Sequence, residues 1–169
     1  MAGQWALPFG RGRAHLQSGW QSVVAGGWAL AAIYQAETGV PFTPTLPTDN
    51  ANAGNTSWPN RVCNGNISNR TLKEWFNTSC FVTPPEYQFG NTGRNVLWGP
   101  GVDNLDLSAH REFHPVERMD LEFRLETFNV LNHPQFAQPG ASVGTPTYGA
   151  VTGTIGNARI VQLGLRATF

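Results

Sequence analysis

Residues 159–169 read RIVQLGLRATF, and their alternation decides the fold class. Val161, Leu163, Leu165, Ala167 and Phe169 fall on one face of an extended chain, and Gln162, Gly164, Arg166 and Thr168 on the other. A period of two is that of a strand with one apolar and one polar side. The stretch also matches the roughly 9–11 residues that a tilted strand needs to cross a bilayer.

Working back from this end, Met119 to Glu126 repeats the pattern more sharply. Met119, Leu121, Phe123 and Leu125 alternate with Asp120, Glu122, Arg124 and Glu126. One face is wholly apolar and the other wholly ionised, as when lipid lies on one side and a wet lumen on the other. Asn104 to Glu112 is a third case: Leu105, Leu107 and Ala109 oppose Asp106, Ser108, His110 and Glu112. Between these two strands His114-Pro115-Val116-Glu117 predicts a hairpin turn. Gly27 to Thr38 is weaker, with Trp28, Leu30, Ala32, Tyr34 and Ala36 on one face and a partly polar second face. Trp5, Leu7 and Phe9 alternate before Gly10-Arg11-Gly12-Arg13, suggesting a strand end, with Pro8 suited to an edge, a terminus or a bulge. Helix is expected only as a turn or two in Gly12 to Ala25 or around Thr71 to Asn77.

The spacers are very unequal. Gly39 to Gly101 and Asn132 to Asn157 are long and rich in Pro, Gly, Asn and Thr, where compact soluble domains keep loops short. Outer-membrane barrels pair short periplasmic turns with long outer loops. If Phe169 ends at the periplasm, Met119 to Glu126 runs upward and Asn104 to Glu112 downward, so both long spacers fall outside. The expected fold is therefore all-β: an antiparallel transmembrane β-barrel segment spanning 1–169, with extracellular loops at about 39–101 and 132–157. Five strands do not close, since barrels begin at about eight and an open edge in lipid leaves backbone groups unpaired. The expectation is a C-terminal piece of a larger barrel, which leaves Met1 open as an internal or miscalled start.

The composition agrees. Of 169 residues only 13% are charged, about half the usual share for a soluble domain, and Lys73 is the only lysine. Zero formal net charge removes the footprint of a nucleic-acid binder. No apolar run approaches the roughly 20 residues of a transmembrane helix, and Met1 to Gly10 lacks the basic start and apolar core of a secretory signal. Cys63 and Cys80 lie in a polar loop that lacks the apolar residues to order itself. The preferred reading is a disulfide stapling that loop in an oxidising compartment; two unrelated thiols is the competing one.

Asp120, Glu122 and Glu126 on one strand face invite a carboxylate-catalysis reading, but Arg124 sits among them and a charged lumen wall accounts for them better. The lumen-facing candidates are Asp106, His110, Asp120, Glu122, Arg124, Glu126, Gln162 and Arg166. His15, His110, His114 and His133 are scattered without metal-ligand spacing, and no G-x-S-x-G nucleophile motif is present. Neither an enzyme nor a cofactor is expected. Leu121, Phe123, Leu125, Leu163, Leu165 and Phe169 should stay exposed in the isolated chain; in a soluble domain they would be buried.

The stretches LPFGRGR (7–13), GGWALAAIYQAETGVPFTP (26–44), GRNVLWGPGVDNLDLS (93–108), RMDLEFRLETFNVLNHPQF (118–136) and the terminal IVQLGLRATF resemble the C-terminal barrel of TonB-dependent outer-membrane receptors. The nearest subgroup is the Oar-like receptors with a carboxypeptidase-regulatory-like domain, common in acidobacteria. The resemblance implies a roughly 22-stranded plugged barrel in the outer membrane of a Gram-negative bacterium. Such a receptor imports a large or scarce ligand, such as a siderophore or glycan, using the TonB complex through N-terminal sequence not present here. The segment alone would not be transport-competent. Val161, Leu163, Leu165, Ala167 and Phe169 look like the signal read by the barrel-assembly machinery, whose logic is strand addition at an open edge. The other function class is a surface or adhesion barrel with no import role, its long loop touching cells or matrix. Loop aromatics Trp58, Trp75 and Trp98 suit glycans, peptides or chelates alike.

Overall fold

A computed structural model describes residues 1–10, 12–116 and 118–169. Its elements in chain order are β1 (Ala2–Ala6), α1 (Gly19–Ala25), β2 (Trp28–Glu37), β3 (Pro41–Phe42), β4 (Asn60–Arg61), a 3-10 turn (Thr78–Cys80), β5 (Phe81–Val82), β6 (Leu97–Trp98), β7 (Val102–Val116), β8 (Met119–Phe128), β9 (Gln135–Phe136), β10 (Thr154–Ile155) and β11 (Ile160–Thr168). The chain divides into two compact units: 1–36 with 103–134 and 157–169, and 37–102 with 135–156.

The first unit is one five-stranded sheet in the order β1-β2-β7-β8-β11. The pairs β1 with β2, β7 with β8 and β8 with β11 are antiparallel. Trp28 at the start of β2 lies beside Arg111 late in β7, and the Tyr34 hydroxyl late in β2 bonds Asp103 early in β7, so that pair runs antiparallel too. The alternating stretches thus form neighbouring strands in chain order, as their period of two predicts. Among the described residues no helix is long and apolar enough to cross a membrane. The elements with the length to cross are strands.

Two expectations need correction. β7 does not end before His114: it runs on to Val116, which pairs with Met119 across a register shift between Phe113 and Val116. Pro115 has no N–H to give a ladder, and the irregularity is where the strand can hold it. The turn is therefore tighter than His114 to Glu117, and Glu117 lies outside the described residues. β1 is Ala2–Ala6, ending before Pro8, and the following Gly10 to Arg13 segment includes Arg11, also outside the described residues. The little helix present falls where it was expected, α1 within Gly12 to Ala25, and the 3-10 turn begins at Thr78, just past Asn77, whose side chain accepts from the Ser79 N–H.

The second unit overturns the expectation that the long spacers are structureless. Phe76, Cys80, Phe81 and Leu97 form a buried cluster, with Phe42, Trp75, Val96, Val143 and Tyr148 packed on it. Phe76 is its hub, edge-on to Phe42, Phe81 and Tyr148 at centroid distances of 5.7, 5.9 and 5.3 Å. Cys63 and Cys80 are bridged, Cα atoms 4.9 Å apart. Gly149, at φ 81°, lies so close to the Thr78 methyl that a Cβ would collide with it.

The two units bury apolar surface in opposite ways. Among the described residues every buried hydrophobic side chain (Leu46, Phe76, Cys80, Phe81, Leu97, Val151) belongs to the second unit. In the last strand Leu163 and Leu165 are 68% and 73% exposed and Phe169, just beyond it, 91%, while Leu121, Phe123 and Leu125 on β8 are half-buried. Trp28 stacks edge-on to Phe123 at 5.8 Å, which covers part of the β8 side chains. A domain in water hides such residues; a wall against lipid has no reason to.

Candidate functional site

Residues directly opposite in an antiparallel pair share a face, so the register places the polar side chains. Ser108, Glu126 and Gln162 form one row; His110, Arg124 and Gly164 the next; Glu112, Glu122 and Arg166 the third; Asp120 and Thr168 the last. Asp106, two residues before Ser108, continues the same face. The structure thus brings Asp106, His110, Asp120, Glu122, Arg124, Glu126, Gln162 and Arg166 onto one side of the sheet.

Arg124 holds this face together. Its guanidinium donates to Glu122 Oε1 at 2.7 Å and lies 3.8 Å from Glu126 Oε1. Glu112 and Glu122 face each other directly, a like-charge pair that Arg124 and Arg166 offset. His114 Nε2 is 3.3 Å from Asp120 Oδ1, both side chains 68% exposed. Two shallow hollows open here, one of about 310 Å³ around Arg124, Gln162 and Arg166, the other of about 240 Å³ around Glu112, His114 and Asp120. The set can take hydrogen bonds and charge from a polar ligand or an ordered water layer.

The opposite face carries Leu107, Ala109, Arg111 and Phe113 on β7, then Leu121, Phe123, Leu125 and Thr127, then Val161, Leu163, Leu165 and Ala167. A recess of about 600 Å³ on this face is lined by Trp5, Leu30, Leu107, Ala109 and Leu125 and is almost wholly apolar. Phe169 lies just past β11. Two residues break the apolar run, Thr127 and Arg111; alternation places Arg111 there, and the reading of Asn104 to Glu112 did not single it out.

In the second unit Trp58 and Trp98 are exposed. Trp75 is not: it packs on the core and donates its indole N–H to the Trp98 carbonyl at 2.9 Å, with Arg70 over its ring. Sequence reasoning missed Tyr87 and Phe89, 74% and 71% exposed. Asn50 props up their turn, its side-chain amide donating to the Pro85 carbonyl at 2.9 Å and its own carbonyl accepting from the Tyr87 N–H at 2.8 Å. The sequence signal for such a turn is Pro84-Pro85, inside the long 39–101 spacer. Asp49 closes the neighbouring turn. Partial withdrawal from water works against its charged form, but the N–H groups of Ala53, Gly54 and Asn55 and the Ser57 hydroxyl outweigh this and lower its pKa.

A family model described as an outer membrane beta barrel domain matches residues 1–162. No curated protein and no solved structure matches the chain.

Proposed function

The chain belongs to the outer-membrane β-barrel family, and from that premise we propose that it forms part of the wall and outer surface of a TonB-dependent import receptor. It is a protein of the outer membrane. The observation that carries the finer reading is the division of one sheet into a polar face rich in ionised side chains and a face that is apolar but for Arg111 and Thr127. The charged face lines the lumen, where it contacts ligand or plug and does no catalysis; the apolar face meets lipid. β1 and β11 are the edges of the sheet, and unpaired edges in hydrocarbon cost several kcal/mol per group. Closure therefore needs more strands, in keeping with a barrel of roughly 22 strands and a plugged lumen. Val161, Leu163, Leu165, Ala167 and Phe169 serve as the edge recognised by the barrel-assembly machinery. The ordered second unit, with Trp58, Tyr87, Phe89 and Trp98 exposed, supplies outer contacts to the ligand.

The test is to determine the reading frame upstream of Met1 and to measure binding of the natural-length protein to the purified periplasmic domain of TonB. A plug domain with measurable TonB binding supports import. A frame with neither favours the second reading, an adhesion barrel whose exposed loop aromatics bind another surface.

A further inference from the structure

The connection from β1 to β2 holds α1, and α1 is turned outward. Trp20, Val23 and Val24 are 73%, 59% and 60% exposed, and residues 14–27 contain no Asp, Glu, Lys or Arg. In water such a bare apolar surface has no function of its own. The helix is held from the apolar face of the sheet. Arg111 donates to the Val24 carbonyl at 2.7 Å and to the Val23 carbonyl, and the Trp28 indole N–H donates to the Val24 carbonyl at 3.0 Å. The Arg111 guanidinium also lies over the Phe113 ring at 4.2 Å and the Trp28 ring at 5.9 Å. Arg111 pairs directly with Phe123, so its side chain and the helix it grips lie on the apolar side. The same end of the sheet carries the β7–β8 turn.

A helix ends with carbonyls that lack intrahelical partners and carry partial negative charge. A cation on a lipid-facing wall is costly near the midplane and tolerated near the interface. Arg111 and α1 answer each other's need. Rings such as Trp20, with an apolar body and one polar N–H, favour the boundary between headgroups and acyl chains.

We propose that α1 is a membrane-interface anchor, lying at the headgroup boundary of the periplasmic leaflet with Trp20, Val23 and Val24 against lipid and Arg111 as the positioning residue. The proposal rests on the lipid-facing assignment of the apolar wall, with which α1 is continuous. It fixes the height of the wall in the bilayer from outside, at the end where the turns are short.

The experiment uses the natural-length protein in phosphatidylethanolamine–phosphatidylglycerol vesicles with acyl chains brominated at shallow or deep positions. The Trp20 fluorescence is obtained by difference from Trp20→Phe, and Leu165→Trp serves as a reporter of the wall. The expected result is that shallow bromines quench Trp20 more than deep ones and that aqueous acrylamide quenches it little. Arg111→Met should shift Trp20 toward acrylamide, a change that loss of a surface charge alone would not produce. Lipid quenching at Leu165→Trp with Trp20 open only to acrylamide overturns the anchor and leaves the wall standing. No lipid quenching at Leu165→Trp overturns both. An unchanged Trp20 depth in Arg111→Met overturns the positioning role of Arg111.

Discussion

The backbone N–H of Asn129, the residue after β8, donates to Asp106 Oδ1 on β7 at 2.8 Å. Asn129 is buried and left-handed at φ 51°. Its side chain accepts from the His133 N–H at 2.9 Å and donates to the His133 and Asn157 carbonyls at 3.0 and 3.2 Å. One asparagine therefore gathers the exit of β8 and the approach to β11. Asn129→Ala removes the three side-chain bonds and replaces a residue that tolerates the left-handed region with one that pays about 1–2 kcal/mol to occupy it. With about 1–3 kcal/mol for a buried polar group losing its partner, denaturant unfolding should show a clear loss. Asn129→Gly relieves the backbone part and should recover some of it. Wild-type stability in Asn129→Ala would refute the role.

Charge insertion tests the faces of the sheet. An arginine on the lipid side near the midplane costs roughly 2–4 kcal/mol, while lumen positions tolerate it. In the natural-length protein Leu163→Arg should impair outer-membrane assembly far more than Gln162→Arg, measured by heat-modifiable migration and surface proteolysis. Equal assembly of the two would reverse the assignment.

The Cys63–Cys80 bridge closes a loop with a sequence separation of 17. Chain-entropy estimates give about 3 kcal/mol for a loop of this size. Cys63→Ser with Cys80→Ser should make the second unit sensitive to protease while leaving the transmembrane strands protected. Unchanged cleavage kinetics would show that the aromatic cluster around Phe76 suffices alone.

Burial pushes the Tyr148 hydroxyl up to about 12, and its oxygen has no hydrogen-bond partner among the described residues. A buried hydroxyl that bonds nothing is a cost, so Tyr148→Phe should be neutral or up to about 1 kcal/mol more stable. A raised pKa in the fold means that stability is complete below the ordinary tyrosine value near 10 and declines as pH rises toward 12. Tyr148→Phe should lose that alkaline decline. A destabilised variant would reveal a hidden partner for the hydroxyl.

Asp49 behaves in the opposite sense. Its carboxyl is held below the ordinary value, so its contribution is present above about pH 4 and disappears as pH falls through the lowered pKa. The advantage of wild type over Asp49→Asn in thermal unfolding of the second unit should be full at neutral pH and vanish in acid. An advantage independent of pH would show that charge is irrelevant to the turn.

The wall was legible because its signal is local: Met119 to Glu126 and Arg159 to Phe169 each state a face every second residue. The second unit was not, because its core joins Phe42, Phe76, Phe81, Leu97 and Tyr148 across long polar stretches with no period to read. By propensity Pro115 is a turn residue, since propensity cannot distinguish a turn from a strand irregularity beside one. Arg111 escapes a sequence reading because its partners, the Val23 and Val24 carbonyls, are backbone groups 88 and 87 positions away. The polar face needed no such partner: its alternation with leucine and phenylalanine is visible, and what the structure adds is the pairing of its charges, such as Arg124 with Glu122 and His114 with Asp120.

The one-for-one pairing of β7, β8 and β11 makes the wall sensitive to chain length as well as composition. Deleting a single residue early in β8 would turn the side chains beyond it over, sending Leu125 to the ionised face, opposite His110 and Gly164, and Glu126 to the apolar one. Two deletions would restore the faces and shift only the partners. The irregularity between Phe113 and Val116 is the place where an odd residue is already absorbed, next to a turn. Insertions and deletions among relatives of this sheet should therefore occur singly at the hairpin end, and only in pairs within the strands.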